Sequence, residues 1–409
     1  MFSALMTLTT PDNTGASRVA FEYAKAVIRR GGNVVMAHGR EPQIKDGRES
    51  LLSKMKDAGI KLKSEPRLEL PWGSSLVRDL TKVTEDEGID CVIGNNQRDR
   101  SVAINVANQA KVPAIVCGHN QHVFRGRWPL PMIKKRYYGN AVRRANLVIC
   151  SSTRVESEFL DWFDVEKDRC ILMPHGIKPA NEDAFSENQI QKLRESFSAS
   201  ASDLLLCNVG RIDPQKGQDT LLRALKLLPA DIPYKLVLVG AVSEDSNQAQ
   251  NLRYEAELKS LAQQLPDPSR VSFAGWRDDF ELIMSASDAY VHSARWEGLP
   301  LTVLAAMSAR RPVIAPDNSS RPPGFENGVH GLLVKPDDAQ SLADSIQHVV
   351  SSRGSNKLPK MANQARQLIE DRYDMDRISD RFTHIVSDVI QNYRAKRNGT
   401  AVTQKESDK

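Results

Sequence analysis

The chain has 409 residues, 40% of them hydrophobic and 26% charged, with a formal net charge of +5. At about 100–200 residues per domain, this favours two globular domains of ordinary composition. No apolar run approaches the roughly 20 residues that span a bilayer. The 23 Gly and 21 Pro are near average, which excludes a collagen-like or low-complexity chain. Five scattered cysteines (Cys91, Cys117, Cys150, Cys170, Cys207) form no Cys-x-x-Cys pair. They argue against a disulfide framework or a structural zinc site and for a reducing cytoplasm.

Residues 1–10 lack a basic leading region and read as a strand at 2–8, not a signal peptide. The turn-rich Pro11-Asp12-Asn13-Thr14-Gly15 follows, and a helix opens near Ser17. Val19, Ala20, Tyr23, Ala24, Val27 and Ile28 recur at helical spacing, with Arg18, Glu22, Lys25 and Arg29 opposite. Gly31-Gly32 ends the helix and 33–39 resumes as a strand, a unit the size of a βαβ crossover. Short strands are expected again at 91–95, 114–118, 147–151 and 170–174, with helices between. Runs that are apolar on both faces and separated by helices predict a parallel sheet covered on both sides.

Residues 178–202 are polar and read as a linker. The alternation then restarts, with strands at 204–210, 235–240, 271–275, 289–292, 312–315 and 332–334. Helices fit 215–228, 247–264, 299–309 and 338–352. The expected organisation is a doubly wound α/β domain over 1–177 and a second one over 203–375. An amphipathic helix over 376–395, with Ile378, Phe382, Ile385, Val389 and Tyr393, would pack on either domain, and 396–409 would fray. Ligands of open parallel sheets bind beyond the carboxyl ends of the strands, which places a substrate in a cleft between the two domains.

The charge is uneven. Residues 1–177 hold 27 Lys+Arg against 20 Asp+Glu. Residues 100–155 hold ten basic side chains and no acid: Arg100, Lys111, Arg125, Arg127, Lys134, Lys135, Arg136, Arg143, Arg144 and Arg154. Such a run is either a solvated face or a surface for an anionic partner. Near an anionic leaflet each cation contributes about 1 kcal/mol. Nucleic acid fits less well, because aromatic residues are only 6% and no nucleic-acid-binding motif occurs.

Two segments of the second half carry the chemistry. Gly210-Arg211-Ile212-Asp213-Pro214-Gln215-Lys216-Gly217 sits where a strand hands over to a helix, with two cations five residues apart that can clamp two phosphate groups. On spacing alone, cations at such a loop are more often solvated. In His292-Ser293-Ala294-Arg295-Trp296-Glu297-Gly298-Leu299-Pro300-Leu301-Thr302, a loop presents Glu297 and Gly298 permits a close turn. Pro300 suits the first turn of the next helix, whose amides near Leu301 and Thr302 would face an anion. Taken alone, Glu297 is an ordinary solvated loop carboxylate. Beside an anion-binding helix start it pairs sugar hydroxyls with a pyrophosphate.

These segments resemble the retaining glycosyltransferases of family 4. The matching pieces run in the family's order: Val209-Gly210-Arg211 with Lys216-Gly217, 236–240, 271–275, 285–291, Glu297-Gly298-Leu299-Pro300, Ala306-Met307, Pro312-Val313-Ile314-Ala315 and Gly331-Leu332-Leu333-Val334. Gly15, Cys117-Gly118-His119-Asn120, 147–152 and Pro174-His175-Gly176-Ile177 extend the likeness into the first half. The resemblance implies the GT-B fold, two facing Rossmann-like doubly wound domains with an interdomain cleft. It implies that Arg211 and Lys216 clamp a donor diphosphate, that the Leu301 and Thr302 amides hold the distal phosphate, and that the segment around Gly275 meets the base. Glu297 would contact the donor sugar as the first glutamate of the family's E-x7-E motif, and His119 would touch the sugar from the other domain. Gly15 marks the loop before the first helix.

The second glutamate of that motif is replaced by Ala305, so the carboxylate that grips the ribose is missing or supplied from elsewhere; Glu326 is one substitute in reach of the sequence. Arg310-Arg311 also replace the small residue and glycine usual before the next strand. The reading that follows is transfer of a sugar, with retention, from a nucleotide diphosphate sugar to a glycan or polyprenyl-phosphate-linked acceptor. No Asp-x-Asp occurs among these segments, so neither a metal nor a further cofactor is expected. The basic 100–155 stretch would rest the enzyme peripherally on the inner face of the membrane. Ala305 motivates an alternative, a non-catalytic relative that binds a glycan or a protein; a nucleotide-sugar epimerase is a third reading.

Overall fold

Short apolar runs bounded by glycine and polar turns fold here as strands whose neighbours are all parallel. The structure is a computed structural model that describes residues 1–12, 15–41, 49–69, 73–122, 129–181, 184–242, 248–318 and 321–399. The chain forms two units, Met1–Gly176 with Met375 onward, and Ile177–Asp374.

Unit 1 opens with β1 (Ser3–Leu8), α1 (Gly15–Arg29), β2 (Asn33–His38), α2 (Leu51–Asp57) and β3 (Lys61–Ser64). It continues through α3 (Ser74–Asp86), β4 (Cys91–Gly94), α4 (Arg100–Ala110), β5 (Ala114–Gly118) and α5 (Leu130–Val142). β6 (Leu147–Cys150), α6 (Thr153–Ser157) and β7 (Cys170–Leu172) complete the run. The seven strands lie in the order β3-β2-β1-β4-β5-β6-β7. Unit 2 begins with α7 (Glu187–Ser196), β8 (Leu204–Val209), α8 (Gln218–Lys226), β9 (Tyr234–Val239) and α9 (Gln248–Gln263). β10 (Val271–Gly275), α10 (Phe280–Ala286), β11 (Ala289–Val291), α11 (Leu301–Ser308), β12 (Val313–Pro316) and β13 (Leu332–Val334) follow. α12 (Ala339–Ser351) and α13 (Lys357–Arg372) close it, before α14 (Met375–Arg397). Its six strands run β10-β9-β8-β11-β12-β13. In both sheets the order reverses beside the first strand of the unit, the switch point at which such folds bind ligands.

The domain division differs from the sequence expectation in two places. Residues 178–202 are not a linker but part of unit 2. Ser186 and Gln189 form a reciprocal capping box that starts α7, and Leu193 and Ala199 are buried in the unit 2 core. The C-terminal helix is not a separate element. α14 returns to unit 1, where Phe382 stacks on Tyr23 of α1 with ring centroids 4.1 Å apart. Ile378, Phe382, Val386 and Ile390 form its buried stripe at every fourth position, whereas Ile385 and Val389 are half-buried beside it. Arg29–Asp376 (3.1 Å) and Arg30–Asp380 (3.0 Å) flank the contact.

One helix end in unit 2 is strained. α11 closes with the Arg310 amide on the Met307 carbonyl and the Arg311 amide on the Ala306 carbonyl, and Arg310 takes φ 51°. This left-handed position usually belongs to glycine, and a side chain there costs about 1 kcal/mol.

Candidate active site

The carboxyl edge of the unit 2 sheet is drawn together by glycines. β8 and β9 lead into Gly210 and Gly240, and β10 ends at Gly275. The Gly240 amide donates to the Gly275 carbonyl at 2.7 Å, and a Cβ on Gly240 would lie 1.8 Å from the Gly210 oxygen. Only bare backbone lets these three strand ends meet. Gly275 turns with φ 65° into open space, with no atom within 4 Å of where a Cβ would stand.

Asp213 caps the short turn Pro214–Lys216 through the Gln215 amide (2.8 Å). Gly217 then takes φ 61°, and a Cβ there would be 2.2 Å from the Ser293 carbonyl oxygen, so this glycine lets the turn touch the loop after β11. The Ser293 hydroxyl donates to the Lys216 carbonyl at 2.9 Å, and the Arg295 amide to the Gln215 carbonyl at 2.8 Å. Arg295 locks the junction: its two Nη groups reach the Asp219 carboxylate at 3.0 and 2.8 Å, and it also reaches the Pro214 carbonyl (2.6 Å) and Asp337 (2.8 Å). Tyr254 donates to Asp219 at 2.6 Å. Burial alone would raise the Asp219 carboxyl, but Arg295, Tyr254 and Arg223 outweigh it and hold the group at about 2.

The locked loops bring Lys216 Nζ onto Glu297 Oε1. Gln215 Nε2 donates to Glu297 Oε2 (3.4 Å) and to the Trp296 carbonyl (2.8 Å). Glu297 is only 8% exposed. Burial pushes its carboxyl upward, while Lys216 and Arg211 pull it below its usual value, so it is ionised at neutral pH. Arg211 stands half-buried at the same turn, 3.9 Å from Asp213. His292, directly after β11, is held at about 4 by burial and is therefore neutral.

Beside Glu297, Gly298 leads into α11. Pro300 is the N-cap, with φ −77° and ψ 99°, and not a first-turn residue as expected. Its extended backbone makes its carbonyl the acceptor for the Val303 and Leu304 amides. Among the described residues no side chain caps the helix, so the Leu301 and Thr302 amides and the positive helix end are the groups an anion would meet. Tyr290 donates to the Thr302 hydroxyl at 2.7 Å and fixes that first turn to β11.

Around His119, unit 1 builds its carboxyl edge from neutral groups. Asn95, after β4, donates Nδ2 to the Thr7 carbonyl (3.1 Å), so its Oδ1 faces His119 and accepts Nε2–H at 3.3 Å. His119 Nδ1 is then the acceptor for His175 Nε2–H at 2.9 Å. That leaves His175 Nδ1 as a buried lone pair without a partner among the described residues. Burial holds both imidazoles in the neutral form, with His175 at about 4 and His119 well below its ordinary value. Deeper in, Arg100 donates Nη2–H to the Cys117 carbonyl (2.8 Å) and touches His122, whose Nδ1 meets Glu158 at 2.9 Å. Gly15 is the first residue of α1; Ser17 ties the preceding loop by donating to the Thr10 carbonyl, 3.0 Å away, and sits 2.8 Å from Asp12.

Arg211, Lys216, Glu297, Gly298, Leu301 and Thr302 thus gather on one edge of unit 2, with Gly275 at the end of the third strand of that edge. His119 and Gly15 belong to the carboxyl edge of unit 1. Ala305 sits one turn after Leu301 on the half-buried side of α11. Glu326 precedes β13, with its amide on His330 Nδ1 at 3.0 Å and the next residue, Asn327, bridged to Gly331. The acid-free run 100–155 is not one free basic face. Arg100 is buried, and Arg143 and Arg154 pair with Asp164 and Glu158 from beyond the run; Arg125 and Arg127 lie outside the described residues. Among the described residues no three His, Cys, Asp or Glu side chains gather into a metal-binding set. No described helix is long and apolar enough to cross a membrane. Sequence reasoning missed Gln215, Asp219 and Arg295, which position the pair; their only advance signal was their place within or beside the two loop segments.

Known proteins resemble this chain in both halves. The family model described as Glycosyl transferases group 1 matches residues 189–399, and that of Glycosyltransferase Family 4 matches residues 13–181. The Escherichia coli UDP-Gal:alpha-D-GlcNAc-diphosphoundecaprenol alpha-1,3-galactosyltransferase is 24% identical over 340 residues, 78% of this chain and 82% of its own length. The lipopolysaccharide core biosynthesis glycosyltransferase LpsE of Rhizobium meliloti is 27% identical over 195 residues, 47% of this chain and 53% of its own. The chain spans about half the length of most curated relatives it matches. Among solved structures, Anabaena HepE in complex with UDP and glucose superposes with a TM-score of 0.80 at 22% identity, covering 95% of this chain and 100% of that one. The sucrose-phosphate synthase of Thermosynechococcus elongatus gives 0.75 at 18%, covering 95% and 99%. The fold of two parallel-sheet units is that of GT-B glycosyltransferases, and the chain belongs to the group 1 glycosyl transferases.

Proposed function

We propose that the chain transfers a sugar, with retention at the anomeric carbon, from a nucleotide diphosphate sugar to a hydroxyl of a glycan or lipid-linked acceptor. The observation that carries this reading is the convergence of Lys216, Glu297, Arg211 and the uncapped start of α11 on one sheet edge. A diphosphate leaving group gains negative charge as the glycosidic bond breaks. Two fixed cations and a helix end stabilise that charge without reorganisation, and such preorganised electrostatics supply most of the rate enhancement in many enzymes. Glu297 is held ionised and accepts hydrogen bonds from sugar hydroxyls; Lys216, now on Glu297, would shift to bridge carboxylate and phosphate. HepE holds UDP and glucose, and the E. coli relative is named for a UDP-galactose donor, which supports the donor class. Retention by same-face attack and the contact of His119 with the sugar rest on the family resemblance.

The acceptor reading draws on α5, where Met132 and Ile133 are 62% and 56% exposed beside Lys134 and Arg136. Apolar side chains flanked by cations suit an anionic lipid surface. In this reading, flotation with anionic liposomes at low salt retains the chain, and the double substitution Met132→Asp, Ile133→Asp releases it; equal recovery with neutral liposomes contradicts the membrane contact.

Transfer is tested with a panel of nucleotide sugars and a glycolipid acceptor, following release of the nucleoside diphosphate. The native chain should release it in an acceptor-dependent way, and Glu297→Gln should lower the rate about 100-fold or more. A converted sugar nucleotide formed without acceptor would instead indicate an epimerase. Glycan binding with no turnover in any variant would indicate a binding protein.

A further inference from the structure

The amino edge of the unit 2 sheet, opposite the edge that carries Lys216 and Glu297, holds a cavity of about 570 Å³. Leu204, Asp288 and Pro312 line it where β8, β11 and β12 begin, and Arg310, Arg311 and Arg353 line it from the helix ends around them. We propose that this cavity is a binding site for a small, multiply charged phosphate compound, separate from the donor site.

The lining carries three guanidiniums and one carboxylate. That carboxylate is already engaged, because Asp288 accepts from Arg194 at 3.2 Å and from the Leu205 amide at 2.7 Å. Arg311 donates Nε–H and one Nη–H to the Ala309 and Ser287 carbonyls at 2.9 and 3.2 Å. Arg353 donates to the Ser202 and Ala201 carbonyls at 2.7 and 3.3 Å. These bonds fix the planes of two guanidiniums without neutralising either charge, and each group has five N–H donors. Planar, fixed guanidiniums are the side chains best matched to phosphate oxygens.

Two further features point the same way. Arg310 holds a left-handed backbone position that glycine would take without strain, and its side chain is on the cavity wall. α13, sixteen residues long, also begins at the cavity: the Lys357 amide donates to the Ser355 hydroxyl at 3.3 Å and Pro359 has no N–H, so of its first turn the Leu358 amide and the positive helix end add to the three cations. Among the described residues no aromatic side chain lines the wall, so recognition rests on phosphate and not on stacking a base. The volume is within the range of small-molecule sites.

The test uses the full chain, with inorganic pyrophosphate as the probe, by calorimetric titration. Pyrophosphate is expected to bind the native chain and also a double variant, Lys216→Met with Glu297→Gln, in which the donor-side ion pair is removed. In that background Arg310→Gly and Arg353→Ala should each weaken binding about tenfold or more. Arg310→Gly should also raise the melting temperature without ligand by about 2–4 °C, which shows that the loss of binding is not a loss of fold. Unchanged pyrophosphate affinity in Arg310→Gly and Arg353→Ala overturns the proposal. So does loss of all binding in the Lys216/Glu297 double variant, a result that would leave the donor site standing. Binding of a poly-aspartate peptide that depends on Arg310, with no pyrophosphate binding, overturns it in favour of an acidic protein segment.

Discussion

Both units have an all-parallel sheet with a switch point, yet the clusters around His119 and around Glu297 on their carboxyl edges are built from opposite chemistry. Unit 1 joins Asn95, His119 and His175 through neutral hydrogen bonds and ends on a His175 nitrogen with no partner among the described residues. Unit 2 joins Lys216 to Glu297 and Arg295 to Asp219 as buried or half-buried ions. The backbone supplies the same platform in both, and the side chains of a few loops decide whether it presents dipoles or charges. A charged edge suits a diphosphate, whereas a neutral edge suits hydroxyl groups. The two edges should also respond differently to acid and to mutation.

Acid gives the largest contrast. His122 and His175 are held at about 4 against an ordinary 6.5, and His119 is lowered as well. The folded state binds fewer protons than the unfolded one across that window. Their stabilisation is therefore complete above pH 6.5 and lost as pH falls toward 4, by up to about 3 kcal/mol for each of the two. Asp99 works the other way: burial raises it to about 6, so protonation below pH 6 returns up to about 3 kcal/mol. Among the described histidines of unit 2, only His292 is comparably buried and shifted. The carboxylates of that unit hold lower: Glu297 below its usual value and Asp219 at about 2. Amide exchange followed by mass spectrometry from pH 7 to 4 should show unit 1 losing protection first; unit 2 opening first would contradict the contrast.

Lys216→Ala comes next. It leaves Glu297 buried without its cation and should cost unit 2 about 3–5 kcal/mol in denaturant melts. His175→Phe removes only a neutral hydrogen bond in unit 1 and should cost about 1–3 kcal/mol. Equal costs would show that Lys216–Glu297 is not an uncompensated pair when split. The smallest effect concerns the missing ribose contact of the charged edge. Ala305→Glu places a carboxylate one helical turn from Leu301, and a new charged hydrogen bond to a ribose would tighten nucleotide binding about tenfold. Titration of UDP against this variant and the native chain measures it.

Much of this was legible in the sequence because apolar runs and glycines carry it. Leu332–Val334 and Val271–Gly275 are strands as expected, since both are short apolar runs cut by turn residues. Lys61–Ser64 is an edge strand that the sequence hides: it alternates lysine with one leucine and a serine, and leaves no apolar run. Residues 178–202 resemble a linker because α7 buries a single leucine, Leu193, and its Ser186–Gln189 cap is a short polar signal in a polar stretch. The stripe of α14 announces a packed helix, but only the three-dimensional contact of Phe382 with Tyr23 decides on which unit it packs. Within the site, Lys216 and Glu297 stand out from their segments. The His119–His175 pair spans 56 residues and depends on the orientation of Asn95, which no spacing reveals.

Arg211 is the sharpest probe of whether the charged edge of unit 2 is made for a diphosphate, because its side chain is about one-third exposed, and in its absence Asp213 keeps the Gln215 amide and Glu297 keeps Lys216. Calorimetric titration of UDP into the native chain and Arg211→Ala, at equal fold by circular dichroism, should show affinity falling by about tenfold to a hundredfold. Equal affinity for the two proteins would mean that this edge does not hold the diphosphate.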